Sequence, residues 1–384
     1  MSFFKILRYE FKLLFGDFAV VLTILGGVIL YAFLYPQPYA KQSVSSLGTA
    51  VVDYDKSDIS RNILFSLNAT PQIKITRKDL NVQDAKAALV RGEVKAIIVI
   101  PKDFKKDLVL NKAPTIAVGA DSSYFLIYGG ILEGAMKSVL TESVKVKIAN
   151  LLKNQVPLAG AKKAYTPYAL NKINLFNPNN SYTQYVVPAV FVLILQQTML
   201  IGMGILGGGI NERMRRKKAD HYISTVIPWH MYLARFVLFG AIFFLHMLFY
   251  FGFSFQYFEV SRLASITDLL TLGTAFIFAS LSFGFFLGTL FSSREIATPV
   301  VLFSSLPLVF SAGFVWPIES LPYWVYLLSL LFPSSPAIHG FLSLNQMAAD
   351  FNMVIGDYAL LWVQGIVYSG LALGIFTRKR RRYR

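Results

Sequence analysis

The sequence predicts an α-helical polytopic membrane protein of six transmembrane helices, with a mixed α/β domain inserted after the first of them. Three observations predict it. Six apolar segments each reach the length of about 20 residues that a helix needs to cross a bilayer core about 30 Å thick. Hydrophobic residues make up 55% of the chain and charged residues only 15%, against about 25% charged in an average soluble domain. The segments are also unevenly spaced: one stands near the N-terminus, a polar stretch follows, and five more crowd into the C-terminal half.

Charge placement orients this layout. The formal charge is +16. Outside the inserted domain the basic residues gather at Lys5, Arg8 and Lys12, at Arg213, Arg215, Arg216, Lys217 and Lys218, at Arg294, and in a tail from Arg378 to Arg384. With the N-terminus inside, all of these groups fall on one side of a six-span topology. Arg235 then lies near the inner end of a span, and Arg262 is the exception outside. That is the positive-inside pattern, so the charge is read as topology and no nucleic-acid partner is expected. The chain has no cysteine, which excludes a disulfide framework and a thiolate metal site.

Residues 1–17 read as a cytoplasmic interfacial amphipathic helix. Phe4, Leu7, Phe11 and Leu14 recur at helical spacing, while Lys5, Arg8, Glu10 and Lys12 fall elsewhere on the wheel. The alternative is a frayed start to the first span. Residues 18–36 form that span, and Tyr31, Phe33, Leu34 and Tyr35 stand where a signal peptide would need small residues, so it stays as an anchor. Residues 37–183 alternate strand-like and helix-like stretches, as a small extracytoplasmic α/β domain does. Strands are expected over 47–52, 72–76, 95–100 and 115–119, and helices over 57–67, 82–90 and 124–154. The stretch 157–182, with Pro167 and Pro178, reads as an irregular return to the membrane.

Residues 184–377 hold the other five spans, expected over 186–210, 231–253, 269–291, 297–316 and 357–376. Between the last two lies an unusually hydrophobic loop. Its apolar run 321–331 is too short to cross, and Pro333 and Pro336 break it; with Pro317, Glu319 and Pro322 before it, residues 317–345 read as a re-entrant segment. Residues 378–384 form the basic cytoplasmic tail.

The motifs mostly exclude chemistry. Gly202, Gly204 and Gly207 match a dinucleotide fingerprint, but inside a span, with no strand before them, they read as an accident. Gly204, Gly208 and Gly209 are better placed to let another helix approach. No phosphate-binding loop occurs, so an ATP-driven role needs a second polypeptide. His221, His230, His246 and His339 show no metal or catalytic spacing. No catalytic, cofactor-binding or metal residues are therefore expected. Gln196, Gln197 and Gln364 lie within spans, where an amide is costly unless it bonds across helices or lines a wet path. They either pin helices together or mark a substrate pathway or dimer seam. The short charged loop 211–228 is a topology determinant, a docking element for a cytoplasmic partner, or both.

The layout as a whole, together with several local stretches, resembles the membrane subunit of a type-2 ABC transporter, in the exporter branch with a large extracytoplasmic domain. The stretches are Val51-Val52-Asp53, residues 92–104, Asn177-Pro178-Asn179, residues 311–322, and residues 333–341 with Asn345, Gln346 and Met347. The resemblance implies a permease that exports an amphiphilic or hydrophobic substrate, drug-like or lipid-like, across the bacterial inner membrane, with both termini cytoplasmic. It implies no enzymatic activity in this chain: ATP and Mg would sit on a separate ABC ATPase subunit. Further partners would be a second permease copy, the same or different, and in some systems a periplasmic adaptor. The loop after the second span would supply the ATPase-coupling contact through Glu212, Arg213, Arg215, Arg216, Tyr222 and Pro228, although residues 214–218 are basic and lack the family's usual glycine. A membrane receptor or scaffold, whose outer domain binds a ligand without transport, and an integral-membrane enzyme stand as the alternatives.

Overall fold

The computed structural model describes residues 2–39, 45–110, 112–121, 125–153, 157, 175–177, 181–184, 186–216 and 221–382. The expected irregular return over 157–182 falls largely outside them, as do Lys217 and Lys218. The chain forms two compact units, Lys41–Ile173 and the remainder on either side of it.

Helix α1 (Phe3–Phe15) is present, and its apolar residues divide between the protein and the outside. Ile6, Glu10 and Leu14 are buried, whereas Phe4 is 77% exposed and Phe11 and Phe15 also face outward. The reason is physical. A helix at a membrane surface has two apolar environments, lipid and protein, and periodicity alone does not say which stripe meets which. Here the phenylalanines face away from the protein and a carboxylate turns into it. Asp17 then caps the first span, Phe18–Tyr39, by accepting from the amides of Ala19 (3.1 Å) and Val20 (3.3 Å), which satisfies donors that the first helical turn leaves open.

The inserted unit is a four-stranded sheet with helices on both faces. Strand β1 (Leu47–Asp53) is followed by α2 (Asp58–Asn68), β2 (Ile73–Asp79), α3 (Val82–Val90), β3 (Ala96–Ile100), α4 (Phe104–Val109), β4 (Ala117–Ala120) and the long α5 (Phe125–Lys153). The strand order is β2-β1-β3-β4; β1 is parallel to both neighbours and β4 antiparallel to β3. Parallel neighbours need crossovers, and α2 and α3 supply them. Alternation along β1 divides the core: Val51 packs with Ile63, Leu67 and Ile98 on one face, while Ala50 and Val52 pack with Ala85 and Ala88 on the other. Ser57 and Asn81 cap α2 and α3 through the amides of Ser60 and Asp84. Short α4 had no periodic signature in the sequence. Glu142 of α5 accepts from Ser66 Oγ of α2 (2.6 Å) and from Lys145 Nζ (2.7 Å). Burial pushes its carboxyl upward, but these two donors outweigh burial and hold it below its ordinary value.

The second to sixth spans are Val186–Arg215, Pro228–Tyr257, Ile266–Leu290, Arg294–Ser311 and Phe351–Arg382. Between the second and third lies α6 (His221–Thr225); between the fifth and sixth lie α7 (Tyr323–Ser329) and α8 (Ser334–Met347). The chain is thus a multi-pass helical membrane protein with an inserted α/β domain, as predicted. The second span is buried on nearly every side and meets the fourth span and the turn after it at two glycines. A Cβ on Gly207 would lie 2.6 Å from the Gly288 backbone, and one on Gly208 would lie 2.3 Å from Ser293 O. Gly209, expected to help that approach, instead opens onto free space. Asn211 Nδ2 closes the crossing by donating to the carbonyls of Gly288, Thr289 and Phe291 at 2.8–3.1 Å, and Lys379 Nζ adds a further bond to Thr289. Orphan carbonyls at the fourth helix's C-terminus are satisfied in this way. The basic segment expected as a tail is therefore helical as far as Arg382, with Lys379 and Arg380 both bonded to backbone.

The first and third spans each contain a π-helical segment, Leu22–Gly27 and Phe249–Ser254. Tyr250 of the second segment donates to the Val28 carbonyl just past the first (2.7 Å). A widened turn frees backbone groups in a place without water, and a tyrosine reaches that region from the neighbouring span.

Candidate functional site

Two sites emerge, one at each end of the bundle. At the end that carries α1 and the C-terminal helix, Glu10 accepts from Arg235 Nε (2.8 Å) and from the Tyr222 hydroxyl (2.6 Å). Glu10 and Arg235 are each only 1% exposed. Three elements meet in this triad: α1, the loop after the second span, and the third span. Tyr9 stacks on Tyr222 at 3.9 Å between ring centroids, and the Arg235 guanidinium lies 6.0 Å over the Phe285 ring of the fourth span. Burial, reinforced by Glu10, pushes the Tyr222 phenol far above its ordinary range, so it stays protonated and remains the donor. An ion pair this dry holds only because its hydrogen bonds are complete; removing one partner strands a buried charge.

Of the residues expected at a coupling contact, Tyr222 alone enters this triad. Glu212, Arg213 and Arg215 sit on the last turn of the second span's helix and not on a loop, because the helix runs about one turn further than hydropathy indicated. Glu212 pairs with Arg216 at 2.6 Å, and Arg215 donates to the Ser292 carbonyl at 3.0 Å. Pro228 takes the first position of the third span's helix, where a missing N–H costs nothing. Glu10 and Arg235 were not expected to meet. The available signal was a carboxylate on an otherwise basic interfacial helix and an arginine two turns inside a span, each costly without the other.

The second site is a bent hairpin. Helices α7 and α8 meet at 92°, and neither is long enough to cross alone. Pro317 and Glu319 precede it, Pro322 caps α7, and Pro333 caps α8, whose first turn contains Pro336. Ser334 N donates to Gln196 Oε1 (2.5 Å), about ten residues into the second span and so about 15 Å deep at 1.5 Å per residue. At its other end α8 returns to the level where that span begins: Gln346 bonds the Gln184 carbonyl and Asn345 bonds the Ser261 carbonyl (2.9 Å). The segment enters to mid-depth and comes back. Its tip exposes backbone groups that lipid could not satisfy. Gln364 Nε2 and Tyr368 Oη of the sixth span bond the carbonyls of Leu330 (2.6 Å) and Leu331 (2.5 Å).

The three intramembrane glutamines thus all bond across elements. Gln196 and Gln364 hold the hairpin tip, and Gln197 donates to Ser305 Oγ of the fifth span (3.0 Å). His339 of α8 bonds Asp357 at the head of the sixth span (2.6 Å). Among the described residues no group of three or more metal-ligating side chains exists.

This arrangement of six spans, an inserted α/β domain and a bent hairpin before the last span coincides with a family pattern: the pattern of ABC-2 family transporter proteins matches residues 18–373. The chain belongs to the ABC-2 transporter family. Two curated relatives agree over almost the full length. The inner membrane transport permease YhhJ of Escherichia coli (strain K12) and its counterpart in Shigella flexneri are each 23% identical over 379 residues, covering 95% of this chain and 94% of theirs. This ABC-2 chain is a transport permease, and its family implies an ABC ATPase as partner in general.

Proposed function

We propose that this chain is the permease subunit of an ATP-driven exporter, working as a dimer with a separate cytoplasmic ATPase in a bacterial inner membrane. Both termini face the cytoplasm, and the inserted α/β domain faces the other side, available to guide cargo or receive an adaptor. The Glu10–Tyr222–Arg235 triad carries the reading. It ties the loop after the second span to α1 and to the third span in a water-free contact, so a displacement of the loop by a docked ATPase cannot be absorbed locally. It must move α1 and the third span with it. The ATPase contact itself is assigned to Glu212, Arg213, Arg215, Arg216 and the loop as far as Pro228. The cargo is amphiphilic or hydrophobic: among the described residues the spans bury one ion pair at the cytoplasmic end and, at mid-depth, amides, hydroxyls and apolar groups with one histidine, His246, where ion-coupled carriers place relays of several ionisable groups. Gln196, Gln197 and Gln364 border the pathway through the elements they pin.

The test is co-purification from native membranes followed by reconstitution. An ATP-hydrolysing subunit is expected to accompany the chain, and its activity to rise with amphiphilic cargo in the vesicles. The double variant Glu10→Gln/Arg235→Met, which strands no charge, should keep the complex intact while lowering the cargo-stimulated increment. A purified chain that binds ATP tightly on its own, or one that recovers no ATPase, would overturn the assignment.

A further inference from the structure

A cavity of about 90 Å³ lies against the bent hairpin, at the end of the bundle opposite α1. The end of the fifth span, α7, α8 and the head of the sixth span wall it, and six of its ten lining residues are polar. Ser335 is the informative one. It is only 7% exposed, and its hydroxyl has no hydrogen-bond partner. A dry hydroxyl without a partner is costly unless something else satisfies it. Ser329, on the other arm of the hairpin, donates its own hydroxyl to the Tyr326 carbonyl (2.8 Å) and keeps its lone pairs for a further donor. Ser311 and the Tyr326 side chain complete the hydroxyl wall. The ionisable pair beside them is self-contained: His339 Nδ1 bonds Asp357 Oδ2 (2.6 Å). No lysine or arginine lines the cavity. The wall therefore offers hydrogen bonds and no unmatched cation.

Size and level narrow the ligand. A water takes about 30 Å³ in the liquid, so the cavity admits a head of two or three hydroxyl-bearing carbons and not a sugar ring. Trp316, Tyr323 and Trp324 face outward on α7 and the loop before it, and such residues mark the level of the membrane surface. Ala312, Ile318 and Leu330 give the cavity an apolar side, which water alone would not need. We propose that this cavity binds the uncharged, hydroxyl-bearing head of an amphiphile. Ser335 bonds a hydroxyl of the head while the acyl chain stays in the bilayer. As a binding site it stands on the hairpin alone; as a station for cargo it rests on the exporter reading above.

The test uses the full-length chain in an amine-oxide detergent, which brings no hydroxyl of its own, with binding read by native mass spectrometry. The probes are monooleoylglycerol, methyl oleate (the same chain without hydroxyls) and glycerol. Monooleoylglycerol should bind the natural chain at least fivefold more tightly than methyl oleate. Ser335→Ala, which removes the hydroxyl and little volume, should abolish that preference without lowering the unfolding temperature, because no internal bond is lost. Ala312→Leu fills the cavity with every hydroxyl in place and should abolish it too; if that variant does not fold, Ser335→Ala decides. Equal binding of the two probes by the natural chain, or a preference that survives in either folded variant, would overturn the proposal. So would a fall in the unfolding temperature of Ser335→Ala, which would make the hydroxyl a structural contact. Competition by glycerol at concentrations equal to monooleoylglycerol would reassign the site to a free polyol. No ATPase enters these measurements, so failure here leaves the exporter reading standing, and failure to recover an ATPase leaves the binding site standing.

Discussion

The two ends of the helical bundle are closed by different chemistry. At the end holding α1, ions do the work: Glu10 with Arg235, Asp17 with Arg294, Glu212 with Arg216. At the opposite end neutral amides predominate, beside one partly exposed pair, His339 with Asp357: Gln184, Asn345 and Gln346 bond the backbone of neighbouring elements, and Gln184 Oε1 accepts from the Ser261 amide (2.8 Å). The difference is one of failure mode. A buried ion pair is tolerant of nothing, since losing one member leaves a charge in a dry site. An amide network gives up one bond at a time. The proposed coupling of an ATPase to the spans would benefit from the first, and a hairpin that is held in place benefits from the second.

The largest expected effect breaks the ionic end. Arg235→Met should destabilise the chain by about 3–5 kcal/mol through the stranded Glu10 carboxylate, read as thermal unfolding in detergent. Adding Glu10→Gln should restore most of that loss, and failure to do so would mean that Arg235 acts through packing and not through charge. The amide end should yield less. Gln196→Leu removes the acceptor of the Ser334 amide, at a cost of about 1–3 kcal/mol, and hydrogen exchange should accelerate at 330–337 with little change in α1. Gly207→Ala tests the glycine crossing near the ionic end: with 2.6 Å available to the new methyl, about 1–3 kcal/mol of overpacking is expected.

The inserted domain offers the mildest comparison. Glu142 is held below its ordinary value by Lys145 and Ser66 in spite of burial, so its folded pKa is depressed relative to the unfolded chain. Its contribution is complete above the unfolded value of about 4.3 and fades as pH falls through the lower folded value. Glu142→Gln should therefore weaken α2 and α5 slightly at pH 7 and flatten their acid sensitivity. Hydrogen exchange over 58–68 and 137–145 at pH 7 and pH 3.5 is the measurement.

Much of the fold was legible because bilayers and sheets impose strong periods. The four strands, the six spans and the bent segment before the last span follow from run length and alternation. The triad was not legible in the same way. Glu10 and Arg235 lie 225 positions apart, and each reads locally as a polar residue near a membrane surface. Only the packing of α1, whose phenylalanines turn outward, brings them together. The glutamines were visible as costly, but their bonds to the hairpin tip could not be read from composition. Helix ends were the weakest point: hydropathy stopped the second span at 210 because Asn211 to Arg215 are polar, while the helix continues for their hydrogen bonds.

The glycine crossing sets a limit on how this permease can move. With Gly207 against the Gly288 backbone and Asn211 fastened to three carbonyls of the fourth span's end, the second and fourth spans cannot slide or roll past each other without opening backbone hydrogen bonds where no water can replace them. They form a single stiff post. In the cycle proposed above, opening is then a motion of the remaining spans around that post, and Arg235, lying over Phe285 of the fourth span, is where the triad meets it.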